Sequence, residues 1–149
     1  MKKSAIAALV LAATAVPALA QQAMKPEDQI KTRKAAMAVI GYNFGSLGAM
    51  AQGKKPYDQA ESEINADAVS AVAVLPKRFF GEGTSEGHDT KAKAGIWEHR
   101  ADFDEKMDKF IAEAQKLPAA ARAGEDALKK QVGDTGKACK ACHDDYRAK

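Results

Sequence analysis

The sequence predicts an all-α protein, an antiparallel four-helix bundle, on three observations. Beyond residue 20 there is no strand-type Val/Ile/Thr alternation, and the helix formers Ala, Lys, Glu and Gln are abundant. Apolar residues recur at steps of three, four and seven along four stretches. Gly- and Pro-containing breaks separate these stretches, most of them short enough to join antiparallel neighbours. The composition, 46% hydrophobic and 29% charged over 149 residues, is globular and excludes wholesale disorder.

The chain opens on a different kind of segment. Met1-Lys2-Lys3 is a short basic start, Ala5 to Val16 is apolar, and Ala18-Leu19-Ala20 offers the small residues a signal peptidase reads. Residues 1–20 are therefore expected to be a signal peptide, removed on export to a bacterial periplasm, and residues 21–149 the folded bundle. Pro17 interrupts the run, which falls short of the roughly 20 apolar residues that span a bilayer. Without Lys2 and Lys3 the formal balance is 21 basic against 20 acidic residues, so no concentrated basic face marks a nucleic-acid surface.

Pro26 followed by Glu27 and Asp28 reads as a first helix start, a first-turn proline with acids at the positive end of the dipole. Its inward stripe is Ile30, Met37, Ile40, Phe44, Leu47 and Ala51, and Gly53-Lys54-Lys55-Pro56 ends it. A second stripe, Ile64, Ala68, Ala71, Leu75 and Phe79, runs to about Phe80. Gly81 to Gly95 has no apolar period and reads as a long loop, a candidate for covering something. The third stripe is Ile96, Phe103, Met107, Phe110, Ala114 and Leu117, with Pro118 either kinking or ending that helix. The last is Leu128, Val132, Thr135, Cys139, Cys142 and Tyr146.

One motif carries chemistry. Cys139-Lys140-Ala141-Cys142-His143 is the spacing that attaches haem c: two thiols three residues apart reach two vinyl groups on one porphyrin edge, and the adjacent imidazole is held under the iron. On a helix the three side chains stand at i, i+3 and i+4 and project from one side. A redox disulfide would sit at a helix start after a strand, and zinc would need a further ligand, with only His88 and His99 left as imidazoles. The motif thus predicts one covalent haem c inside the bundle, near the end of the last helix, with His143 as proximal iron ligand.

An iron with two strong protein ligands carries electrons, whereas one with an open face can bind gas. Candidates for the opposite face are Met24, Met37, Met50, Met107, His88 and His99, with Met37 the main rival. Arg33, one turn before Met37 in an otherwise apolar stripe, either meets an anion such as a haem propionate, with Lys34 reaching the same edge, or snorkels out to solvent or a surface carboxylate. Arg147, four residues after His143, either flanks the proximal side of the iron or settles the negative helix end.

With Lys25-Pro26-Glu27-Asp28 opening the first helix and Cys139-Lys140-Ala141-Cys142-His143-Asp144-Asp145-Tyr146-Arg147 closing the chain, the sequence resembles cytochrome c′ over its whole exported length. The resemblance implies a periplasmic, usually dimeric bundle with a five-coordinate haem iron that binds nitric oxide or carbon monoxide. It implies that Met37 crowds the vacant face, that Arg33 and Lys34 lie at the propionate edge, that Phe80 and Asp89 touch the haem edge, and that Arg147 stands beside His143. Many relatives carry leucine at the crowding position, and low-spin relatives with the same fold recruit a first-helix methionine as sixth ligand.

The reading is a haem-based binder of nitric oxide or carbon monoxide rather than an enzyme, since no acid or base can be assigned to the distal face. Its expected task is nitric oxide buffering or sequestration. The alternative is a low-spin electron carrier ligated by Met37 and serving a redox partner protein. A homodimer through the first helix is expected, with Tyr42 or Met50 contributing.

Overall fold

The computed structural model describes residues 24–149; the expected signal peptide lies outside them. The elements are α1 (Pro26–Ala51), α2 (Gln59–Val72), a 3-10 turn (Pro76–Phe79), α3 (Gly95–Glu98), α4 (Arg100–Ala114), α5 (Leu117–Ala123) and α6 (Glu125–Tyr146). The four long helices make the bundle. α1 packs against α2 and α6, α4 packs against α6, and α5 bridges α2 and α6. None of the described helices is long and apolar enough to cross a membrane.

Local chemistry sets the ends. Pro26 stands in the first turn of α1 with Glu27 and Asp28 beside it. The carboxylate of Asp58 caps α2 by accepting from the Glu61 N–H at 2.8 Å. Gly124, with φ +107°, turns the chain sharply from α5 into α6 in a conformation a side chain would strain.

The core agrees with the predicted stripes in α4 and α6, where Phe103, Met107, Phe110 and Ala114 face Leu128, Val132, Thr135, Cys142 and Tyr146. Elsewhere the structure corrects the stripes. In α1, Ala36 and Met50 are buried, while Met37, Phe44 and Ala51 are half-buried against the core. Met50 is 2% exposed, so it belongs to the core and is not available to a dimer interface.

The inward face of α2 is Ser62, Asn65, Ala66 and Val69, and the predicted Ile64 is 69% exposed. Small and polar side chains there admit a close neighbouring helix, and Ser62 bonds the Gln59 carbonyl at 2.8 Å. α2 also stops at Val72 instead of running to Phe80, because Pro76 lacks the N–H a helix needs. The third stripe is broken at His99 into α3 and α4, and Pro118 neither kinks nor ends α4: it lies in the first turn of α5.

Candidate functional site

The site forms where α1 begins, the 80–94 segment folds over, and α6 ends. Cys139 is half-buried and Cys142 buried, both as free thiols. Burial pushes each thiol up to about 11, so both are protonated at neutral pH. His143 follows on the next position, exposed along one side and lining an open groove of about 460 Å³ with Lys93, Asp144, Arg147, Ala148 and Lys149. Its pKa is lowered, first by burial and then by the Arg147 charge, so the neutral imidazole is favoured.

Arg33 lies across from this end on α1 and is 3% exposed. Its guanidinium donates to the Phe79 carbonyl at 3.0 Å, the Thr84 carbonyl at 2.7 Å and Thr90 Oγ1 at 2.8 Å. It sits 4.4 Å from the centroid of the Phe80 ring and 5.8 Å from that of Trp97. Among the described residues no carboxylate pairs with it, and burial pushes its pKa down to about 10. Arg33 therefore neither snorkels to solvent nor joins a surface carboxylate.

Lys34, one residue on, donates to the His88 carbonyl at 2.9 Å and ties the loop to α1. Phe80 is buried, edge-on to Phe103. Asp89 is exposed, in left-handed backbone with φ 52°, and its carboxylate takes part in none of the hydrogen bonds found among the described residues. Arg147 is exposed just past the end of α6. Of the other axial candidates, Met107 is fully buried in the core, Met24 is 44% exposed, and His88 and His99 are exposed.

Sequence reasoning missed several side chains here. Trp97 donates from Nε1 to the Gly81 carbonyl at 3.0 Å and packs at a tilt on Phe80. Thr84 is fully buried in the glycine-rich loop. Asp102 accepts from the Tyr146 hydroxyl and pairs with Lys106, next to Cys142. The signal in reach was composition: Trp97 is the chain's single tryptophan, directly after the loop.

These residues fit a haem. A half-buried apolar strip on α1, Met37 and Phe44, adjoins α6, where a β-carbon at Gly136 would stand 3.9 Å from the Phe44 ring. Two thiols share one helix face beside it. The buried Arg33 cation lacks the anion that a propionate brings. No group of three or more His, Cys, Asp or Glu side chains converges as a protein metal site among the described residues.

Residues 28–147 match the family model described as Cytochrome C'. The chain belongs to the cytochrome c′ family. It is 44% identical over 129 residues to a cytochrome c′ of Rubrivivax gelatinosus, an alignment covering 86% of this chain and all of that one. The solved cytochrome c prime of Shewanella frigidimarina superposes with a TM-score of 0.81 at 43% identity, covering 85% and 99% of the two chains. A nitric oxide complex of a mutant cytochrome c prime from Alcaligenes xylosoxidans superposes at 0.77 with 38% identity, covering 86% and 99%. The family's cofactor is haem c, and Cys139 and Cys142 are the pair that attaches it.

Proposed function

We propose that this chain is an exported periplasmic protein whose haem iron, held by His143 alone, binds nitric oxide or carbon monoxide, and that it buffers or sequesters nitric oxide. The observation that carries the reading is the α1 face after Arg33. Ala36, Met37, Ile40 and Phe44 turn inward there, and none of their side chains bears a hydrogen-bond donor. Haem c, held by Cys139, Cys142 and His143, would supply an iron able to take a small gas.

The chain's own residues set the selectivity. Met37, unbranched and half-buried, is able to swing aside for a neutral diatomic. Water or an anion gains no hydrogen bond from this face to offset its lost solvation. His143 keeps its lone pair available because burial and Arg147 disfavour the imidazolium. Arg33 is oriented by three neutral acceptors and offers its charge to a propionate, with Lys34, Phe80 and Asp89 around the same edge. Arg147 flanks the imidazole. The role proposed for this face is binding.

The nitric oxide complex of the Alcaligenes xylosoxidans relative supports gas as the ligand. Lys2-Lys3 and the apolar run after them support export. The exposed Val39 and Tyr42 of α1 and Ile64 of α2 support a homodimer through these helices. One observation favours a second reading, a low-spin electron carrier for a redox partner protein: Met37 presents a thioether on the same inward face. Titrating the reduced protein with nitric oxide tests the proposal. One equivalent taken up per haem supports it, and a spectrum indifferent to nitric oxide rejects it.

A further inference from the structure

The last four carbonyls of any α-helix lack partners within the helix. In α6 these belong to His143, Asp144, Asp145 and Tyr146, the turn that carries the imidazole. The His143 carbonyl accepts from the Arg147 N–H at 3.2 Å. The other three are all satisfied by one residue of the loop. Lys93 donates from Nζ to the carbonyls of Asp144 at 3.2 Å and Asp145 at 2.9 Å, and from its backbone N–H to that of Tyr146 at 3.0 Å.

The loop is fixed on both sides of Lys93. Ala92 pairs with Arg147 in an antiparallel bridge, and the Ala148 N–H donates to the Lys91 carbonyl at 2.8 Å. Upstream, Thr90 Oγ1 accepts from Ala92 N–H at 3.2 Å and from Arg33 Nη2 at 2.8 Å. A continuous set of hydrogen bonds therefore runs from the buried cation on α1, through residues 90–93, to the final turn of α6.

We propose that Lys93 is a positioning residue for the iron ligand: by capping the final turn of α6 it fixes the height and direction of the His143 imidazole, and Thr90 anchors it to Arg33. The proposal rests on His143 being the iron ligand. Without the cap the carbonyls turn toward water, the turn frays, and the imidazole tilts.

Holoprotein carrying Lys93→Met, which keeps the aliphatic stem and the backbone N–H bond to Tyr146 but loses the Nζ bonds to Asp144 and Asp145, is compared with wild type by amide hydrogen exchange and ferric electron paramagnetic resonance. Exchange at residues 144–147 is expected to quicken about three- to tenfold, with no change at 128–138. The ferric signal is expected to shift or broaden. Lys93→Arg restores both, and Thr90→Val reproduces them in weaker form, which keeps the test open should the methionine variant misfold. Faster exchange with an unmoved signal, or no change in either, overturns the proposal. A low-spin ferric signal in wild type overturns the gas-binding reading instead, and Lys93 is judged by the same comparison.

Discussion

Where α1 ends and α6 begins, Leu47, Leu117, Ala121 and Leu128 are at most 1% exposed, and close packing of small and branched apolar side chains holds the bundle. At the opposite end the interior holds Arg33, Thr84, Phe80 and Cys142, and loop carbonyls and ring faces take the place of aliphatic contacts. The first end is complete with what the chain supplies. The second gathers a buried cation, aromatic ring faces and the two cysteines that attach the family's haem c, so a tethered group completes it. Stability and function are drawn from different halves of one bundle.

The largest separation between the halves is expected from a pair of substitutions. Leu47→Ala empties a fully buried site and should cost about 2–5 kcal/mol while leaving the haem spectrum unchanged. Arg33→Met strands the carbonyls of Phe79 and Thr84 and should cost about 2–4 kcal/mol, but it should also alter the haem spectrum. Denaturant unfolding read beside the visible spectrum measures both, and a spectral change in the leucine variant breaks the division. Met37→Ala comes next, costing about 1–2 kcal/mol at a half-buried position while speeding carbon monoxide uptake. Stopped-flow mixing measures the uptake, and a slower rate contradicts the crowding role.

Tyr146 gives a pH test of the haem end. Its hydroxyl donates to Asp102, and that bond, followed by burial, raises its pKa from 10 to about 12. A raised folded pKa contributes stability that is complete below pH 10 and lost as pH climbs toward 12. The stability gap between wild type and Tyr146→Phe should therefore close across that window in denaturant titrations. A gap that is constant with pH removes the Asp102 bond as its cause. The smallest effect belongs to the other end: the Tyr57 hydroxyl is buried with no partner among the described residues, so Tyr57→Phe should leave the melting temperature unchanged or slightly raised.

What was legible followed from periodicity and covalent spacing. The α6 stripe and the two motif cysteines agree because one helix face serves both, while His143, on the next position, is exposed, and the proline start of α1 fixes its first turn. The face of α2 was not legible, since Ser62 and Asn65 are buried by close helix contact while Ile64 points out, against their hydrophobicity. The breaks at Val72 and His99 depend on Pro76 and on the way the loop enters α4. Lys93 and Trp97 donate to backbone carbonyls far away in the chain, and the Thr84 carbonyl accepts from the distant Arg33, relations that no side-chain pattern encodes.

The absorption spectrum of the purified, matured protein, oxidised, reduced, and reduced under carbon monoxide, decides how the iron is ligated. An iron ligated by His143 alone, with Met37 only crowding the far side, gives high-spin spectra in both oxidation states and a new band on adding the gas. A low-spin spectrum with a sulfur-to-iron charge-transfer band, unchanged by carbon monoxide, contradicts it.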